Sequence, residues 1–116
     1  MANNIFYLKK NDTYPNVEAT LSDVDGPIDL TDCTVKFRMS LPALDDKFVE
    51  KDATVVMPQT GADVGKVYAE FVDGDTDTIG TYSVEWKVTF PNAKVATFPR
   101  GTGTSFNQIV IQEVVV

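Results

Sequence analysis

Polar and apolar residues alternate with a period of two along most of this chain, the pattern of strands with one buried face. Val17, Ala19 and Leu21 alternate with Glu18, Thr20 and Ser22. Cys33, Val35, Phe37 and Met39 alternate with Thr34, Lys36, Arg38 and Ser40 until Leu41-Pro42, where proline cannot donate to a ladder. Val67, Ala69 and Phe71 form another face, and the most regular run sets Tyr82, Val84, Trp86, Val88 and Phe90 against Ser83, Glu85, Lys87 and Thr89. Asp25-Gly26-Pro27, "QTGADVG", "DGDTDTIG", Pro91 to Lys94 and "RGTGTS" read as turns and loops between these runs. "KFVEKDATVVMP" is a strand region whose register is obscured because Lys51 interrupts the series Val49, Ala53, Val55 and Met57; "FNQIVIQEVVV" holds the closing strand. Helical periodicity is missing, and "LPALDDKF" reads as one helical turn at most. The pattern predicts about seven to eight short strands in an all-β sandwich, one domain over residues 1–116 without repeats or linkers.

Composition narrows the chemistry. A chain of 116 residues can bury roughly 65% of its unfolded surface, enough for a core without covalent staples. The net charge of −7 argues against nucleic acid and against anionic membrane surfaces as partners. The single cysteine, Cys33, excludes an intramolecular disulfide, and the lack of histidine removes the commonest general base and zinc ligand. The start "MANNIFYLKK" lacks the layout of a signal peptide, so a soluble protein made without Sec-type export is expected. Asn11-Asp12-Thr13 matches a glycosylation acceptor but reads as a chance match in a turn.

Gly80-Thr81-Tyr82 opens the most regular strand. A tyrosine there can bury its ring and return its hydroxyl to a backbone group at the preceding turn, as in the tyrosine corner of Greek-key sandwiches. Immunoglobulin domains often carry Asp-x-Gly-x-Tyr-x-Cys at this place; here the stretch runs from Thr78 to Val84 without the Asp or the Cys, and Trp86 follows on the same strand. Over about a hundred residues the order of motifs is similar to one family. "NVEATLSDVDGPIDLTDCTVKFRM", "GKVYAEFVDGDTDTIGTYSVEWKVTFPNAKVATFP" and a closing "IVIQ" resemble the immunoglobulin-like amino-terminal domain of phage baseplate upper proteins. The resemblance implies an immunoglobulin-like β-sandwich of antiparallel strands and a structural role in a tailed-phage virion. The expected partners are other virion proteins and further copies of the chain, assembled in the host cytoplasm. Where that family often has Asp-Gly-Lys this chain has Asn92-Ala93-Lys94, which suggests a turn without positive φ at residue 93.

The candidate chemical sites read mostly as structure. Asp73, Asp75 and Asp77 have the spacing of the first EF-hand ligands, but Thr78 stands where the loop needs Gly and Val84 where it needs Glu. The run reads as a solvated turn, a looser calcium site shared with Asp23 or Asp25 being the alternative. Gly101 to Ser105 lacks the Lys and the helix of a phosphate loop. Cys33 has no cation nearby in sequence to lower its pKa and reads as a structural thiol. Asp45 and Asp46, adjacent in an extended chain, point to opposite faces and do not cooperate. Tyr82, Trp86 and Phe90 could stack on sugar, but strict alternation places them in the core. No catalytic residue, metal ligand or cofactor is assigned, and an enzyme is not expected.

The closing strand differs. Ile109 and Ile111 mark one face while Val110, Val114 and Val116 mark the other, and a sandwich strand normally keeps one face wet. Together with the amino-terminal "NNIFYLKK", this selects Ile5, Phe6, Tyr7, Val110, Val114 and Val116 as interface candidates. The reading is a structural virion protein that connects or decorates tail, baseplate, neck or capsid through protein–protein contacts. The alternative is a carbohydrate-binding adhesin-type module contacting a cell surface, with Tyr7, Tyr14 and Tyr68 as the aromatic platform.

Overall fold

The computed structural model describes residues 5–41, 48–98 and 108–114. Within them the alternating runs become strands: β1 (Ile5–Lys9), β2 (Val17–Thr20), β3 (Ser22–Asp23), β4 (Gly26–Pro27), β5 (Thr34–Ser40), β6 (Phe48–Asp52), β7 (Thr54–Val55), β8 (Lys66–Ala69), β9 (Gly80–Thr89), β10 (Val95–Phe98) and β11 (Gln108–Gln112). Eight of these have four residues or more, and the only helical piece among the described residues is a 3-10 turn at Gly61–Asp63. Asp45, Asp46 and the Gly101–Ser105 stretch lie outside the described residues.

The strands form an all-β sandwich. The large sheet runs β1-β11-β9-β5-β6, with β10 beside the second half of β9; the small sheet runs β2-β8-β7, and β3 pairs with β4 in a short hairpin. One hydrophobic cluster lies between the sheets. Phe37, Tyr82, Trp86 and Ile109 from the large sheet and Val17 and Val67 from the small one are all essentially inaccessible. The Phe37 ring packs on Trp86 with centroids 4.9 Å apart and meets Phe71 edge-on at 6.2 Å. Trp86 and Tyr82 therefore belong to the core, as their spacing predicts.

Three details depart from the expected pattern. First, Ile5–Lys9 is a strand, and it runs parallel to β11 while the other pairs are antiparallel. Second, the run around Lys51 changes sheets: β6 pairs with β5, and after Ala53 the chain crosses to join β8 as β7. Lys51 sits opposite Phe37 on the inner side of β6, an apolar position by register. Its ammonium leaves the core sideways, pairing with the Asp75 carboxylate and donating to the Glu70 carbonyl at 2.7 Å. Third, Ala93 adopts φ 70°. The expectation of a turn without positive φ there is wrong. Bonds from Ala93 N–H to the Phe90 carbonyl (2.9 Å) and from Lys94 N–H to Asn92 Oδ1 (3.1 Å) impose the left-handed conformation despite the Cβ.

The connections are pinned by side chains. Gln59, 7% exposed, uses all of its hydrogen-bonding capacity. Its Oε1 accepts from the N–H groups of Leu30 (3.0 Å) and Gly65 (2.8 Å), and its Nε2 donates to the carbonyls of Val56 (2.7 Å) and Asp63 (2.9 Å). Thr76 is buried and its hydroxyl donates to the Asp12 carbonyl at 2.7 Å, tying the acidic turn before β9 to the end of β1.

Candidate interaction surface

Period-two geometry sends Phe6 and Leu8 of β1 inward, opposite Ile109 and Ile111, and leaves Ile5, Tyr7 and Lys9 on the outer face. Tyr7 stands opposite Val110 and Ile5 opposite Gln108, so Ile5, Tyr7 and Val110 form one apolar strip on the outer side of the sheet. Tyr7 is 57% exposed, whereas Val110 and Ile5 are half-buried. Of the six interface candidates, these three are brought together. Phe6 is turned toward the core. Val114 is exposed but lies past the end of β11, so it is not on that strand's face, and Val116 lies outside the described residues.

The closing strand is not the edge of its sheet. β11 is flanked by β1 and β9, so its backbone is paired on both sides, and among the described residues β1 is the open margin. The direction of the β1 amides follows from one bond. Lys10 N–H donates to the Gln112 carbonyl at 2.8 Å. In a parallel ladder alternate residues bond the same neighbour, so Leu8 and Phe6 face β11 while Lys9, Tyr7 and Ile5 aim their N–H and C=O groups away from it. The Lys9 pair is already occupied: Lys9 N–H donates to Asp12 Oδ2 and Asp12 N–H to the Lys9 carbonyl, both at 3.0 Å.

At the other margin, β6 presents Phe48, Glu50 and Asp52 outward. Glu50 Oε2 lies 3.1 Å from Arg38 Nε and Asp52 Oδ1 2.6 Å from Lys36 Nζ, a contact that raises the lysine pKa. The Arg38 guanidinium also lies over the Phe48 ring, 5.1 Å from its centroid. The outer face of the large sheet thus carries the cations Lys9, Lys36, Arg38 and Lys87 against the carboxylates Glu50, Asp52 and Glu85. The chain as a whole has 10 cations and 17 carboxylates. Among the described residues, four cations (Lys10, Lys51, Lys66 and Lys94) and twelve carboxylates lie elsewhere, so the negative surplus lies off this face.

The other candidate sites resolve into local structure. Asp75 Oδ2 pairs with Lys51 and accepts from the Val72 N–H (2.8 Å), so the Lys51 ammonium stands where a calcium ion would need that oxygen. The Asp23 carboxylate accepts from Asp25 N–H at 2.8 Å within its own turn. Burial, reinforced by the Asp29 and Asp32 carboxylates, pushes the Cys33 thiol up, opposite to what a nucleophile needs. Tyr7 and Tyr68 lie on the outer faces of different sheets, and Tyr14, 83% exposed, lies in the β1–β2 connection, so the three do not share one strand or one sheet face. A shallow concavity of about 560 Å³ at the β9–β10 hairpin has Lys94 as its one titratable lining side chain. Comparison with known proteins finds no matching family model, no matching curated protein and no matching solved structure.

Proposed function

We propose that this chain is a structural protein of a tailed-phage virion, an immunoglobulin-like sandwich that joins tail, baseplate, neck or capsid components, including copies of itself. The observation that carries the reading is the strip Ile5, Tyr7 and Val110, apolar side chains displayed on the outer face beside an open sheet margin. Apolar surface next to unpaired backbone suits a protein contact better than a catalytic reaction. Two further features support the virion and immunoglobulin-like parts. The ordered motifs resemble the phage domain, and the Tyr82 hydroxyl donates to the Thr78 carbonyl at 2.6 Å from a fully buried ring, as a tyrosine corner does. The test is Val110→Lys, which adds a charge to the strip while leaving the inward face of β11 intact. The variant is expected to fold and to enter particles poorly, because the lysine would be desolvated at the contact. Normal incorporation of the folded variant would remove this strip from the contact.

A further inference from the structure

We propose that two copies of this chain associate edge to edge, β1 of one molecule pairing antiparallel with β6 of the next to continue the large sheet. The inference rests on the connector reading and names one of its contacts.

The direction of pairing follows from the topology. β1 and β11 run together, β11 opposes β9, β9 opposes β5 and β5 opposes β6. Hence β6 runs opposite to β1, and placing copies side by side in the same orientation brings the two margins together antiparallel. Both strands have five residues.

The open backbone groups match as well. Ala53 N–H donates to the Val35 carbonyl at 2.9 Å, so alternate residues Lys51 and Val49 bond β5, and Phe48, Glu50 and Asp52 aim their amides outward. On β1 the groups left open among the described residues are those of Ile5 and Tyr7, because Asp12 occupies Lys9. A register of Tyr7 against Glu50 and Ile5 against Asp52 uses open groups on both sides, and the Asp12 hairpin closes the pairing at Lys9. The side chains of these residues all lie on the outer face, so the inner faces of both copies stay aligned with their own cores.

Side-chain chemistry favours this pairing over β1 against β1. β1 carries Lys9, Lys10 follows it, and neither brings a carboxylate, whereas β6 shows Glu50 and Asp52 outward, each shared with a cation of β5 (Arg38 and Lys36), and keeps Lys51 bound internally to Asp75. Lys9 then stands diagonal to Glu50 across the seam. Tyr7 and Phe48, 57% and 46% exposed, become covered at the seam. Inward charges can guard an edge against pairing, but the Lys51 ammonium is neutralised inside its own domain and does not guard this one.

The experiment is light scattering and sedimentation of the full chain from micromolar to millimolar concentration. The wild type should grow beyond a dimer, since a head-to-tail contact leaves an open margin at each end. Tyr7→Pro and Glu50→Pro each delete one outward N–H without removing a bond inside the sheet, and each should weaken association by about tenfold or more. An equimolar mixture of the two variants should form a dimer and stop there, because each supplies the margin that the other lacks. Tyr7→Ser and Phe48→Ser, at exposed side chains with unchanged backbone, should behave in the same way and serve if proline disturbs folding. A wild type that stays monomeric at millimolar concentration overturns the proposal, and so does a folded Glu50→Pro variant that associates like the wild type. A monomeric chain that still enters particles would overturn this pairing and leave the connector reading in place. Self-association of a chain that does not enter particles would do the reverse.

Discussion

Gln59 and Thr76 are the buried polar side chains among the described residues, and both hold loops rather than chemistry. Gln59→Ala would leave the Leu30 and Gly65 amides without their acceptor in a site closed to water, at a cost of about 2–4 kcal/mol in a denaturant melt. A loss under about 0.5 kcal/mol would mean that water replaces the side chain. Gly65 cannot adapt alongside it: its φ is 84° and a Cβ there would lie 2.7 Å from the Leu21 carbonyl oxygen. Ala93 shows the opposite situation, a left-handed residue with a Cβ and an exposed position. Ala93→Gly should stabilise the protein by about 0.5–1 kcal/mol, read as a raised melting temperature; a lowered one would show that the entropy of the unfolded glycine outweighs the relieved strain. Neither Gln59 nor the conformation of Ala93 was legible in the sequence. A glutamine in a loop carries no mark of burial, and the left-handed turn is imposed by bonds to Phe90 and Asn92 that a linear pattern does not show.

Among the strands, legibility follows the depth of burial on one face. β5 and β9 alternate cleanly because their inner residues are all buried and their outer ones wet. β1 was hidden because Ile5, Phe6, Tyr7 and Leu8 form a continuous apolar run whose two faces serve different purposes: the inner packs on β11's core side and the outer forms the exposed strip. The region around Lys51 was obscured for a different reason. A lysine at an inward register position breaks the apolar series, yet it satisfies its charge through Asp75 where β6 meets the turn before β9. Both side chains are mostly buried, so Asp75→Ala strands the ammonium and should cost about 3–5 kcal/mol. Millimolar calcium should leave the wild-type melting temperature unchanged, since Asp75 Oδ2 is engaged by Lys51 and Val72 and the metal would have to displace that lysine. A calcium-dependent rise that Asp75→Ala abolishes would show that the turn exchanges its lysine for the metal.

The assembled sandwich has an uneven surface. Its large sheet shows a face of nearly balanced charge bordered by Tyr7 on one margin and Phe48 on the other, while the negative surplus of the described residues falls elsewhere. The all-β architecture was readable from alternation and turn signals, and so was the core role of Trp86. What could not be read was which strand lies at the margin, because strand order depends on long-range pairing that no local pattern encodes. The consequence is specific: the apolar strip borders the β1 margin, and Val114, past the end of β11, is not on it. Hydroxyl-radical footprinting of tyrosines on the isolated chain and on intact particles tests this claim most directly. Tyr7 at 57% and Tyr14 at 83% exposure are both reactive positions in the free protein. Tyr7 should lose its reactivity in particles while Tyr14, in the β1–β2 connection and not on the strand face, keeps its own. Equal modification of Tyr7 in both samples would contradict a contact at the β1 margin.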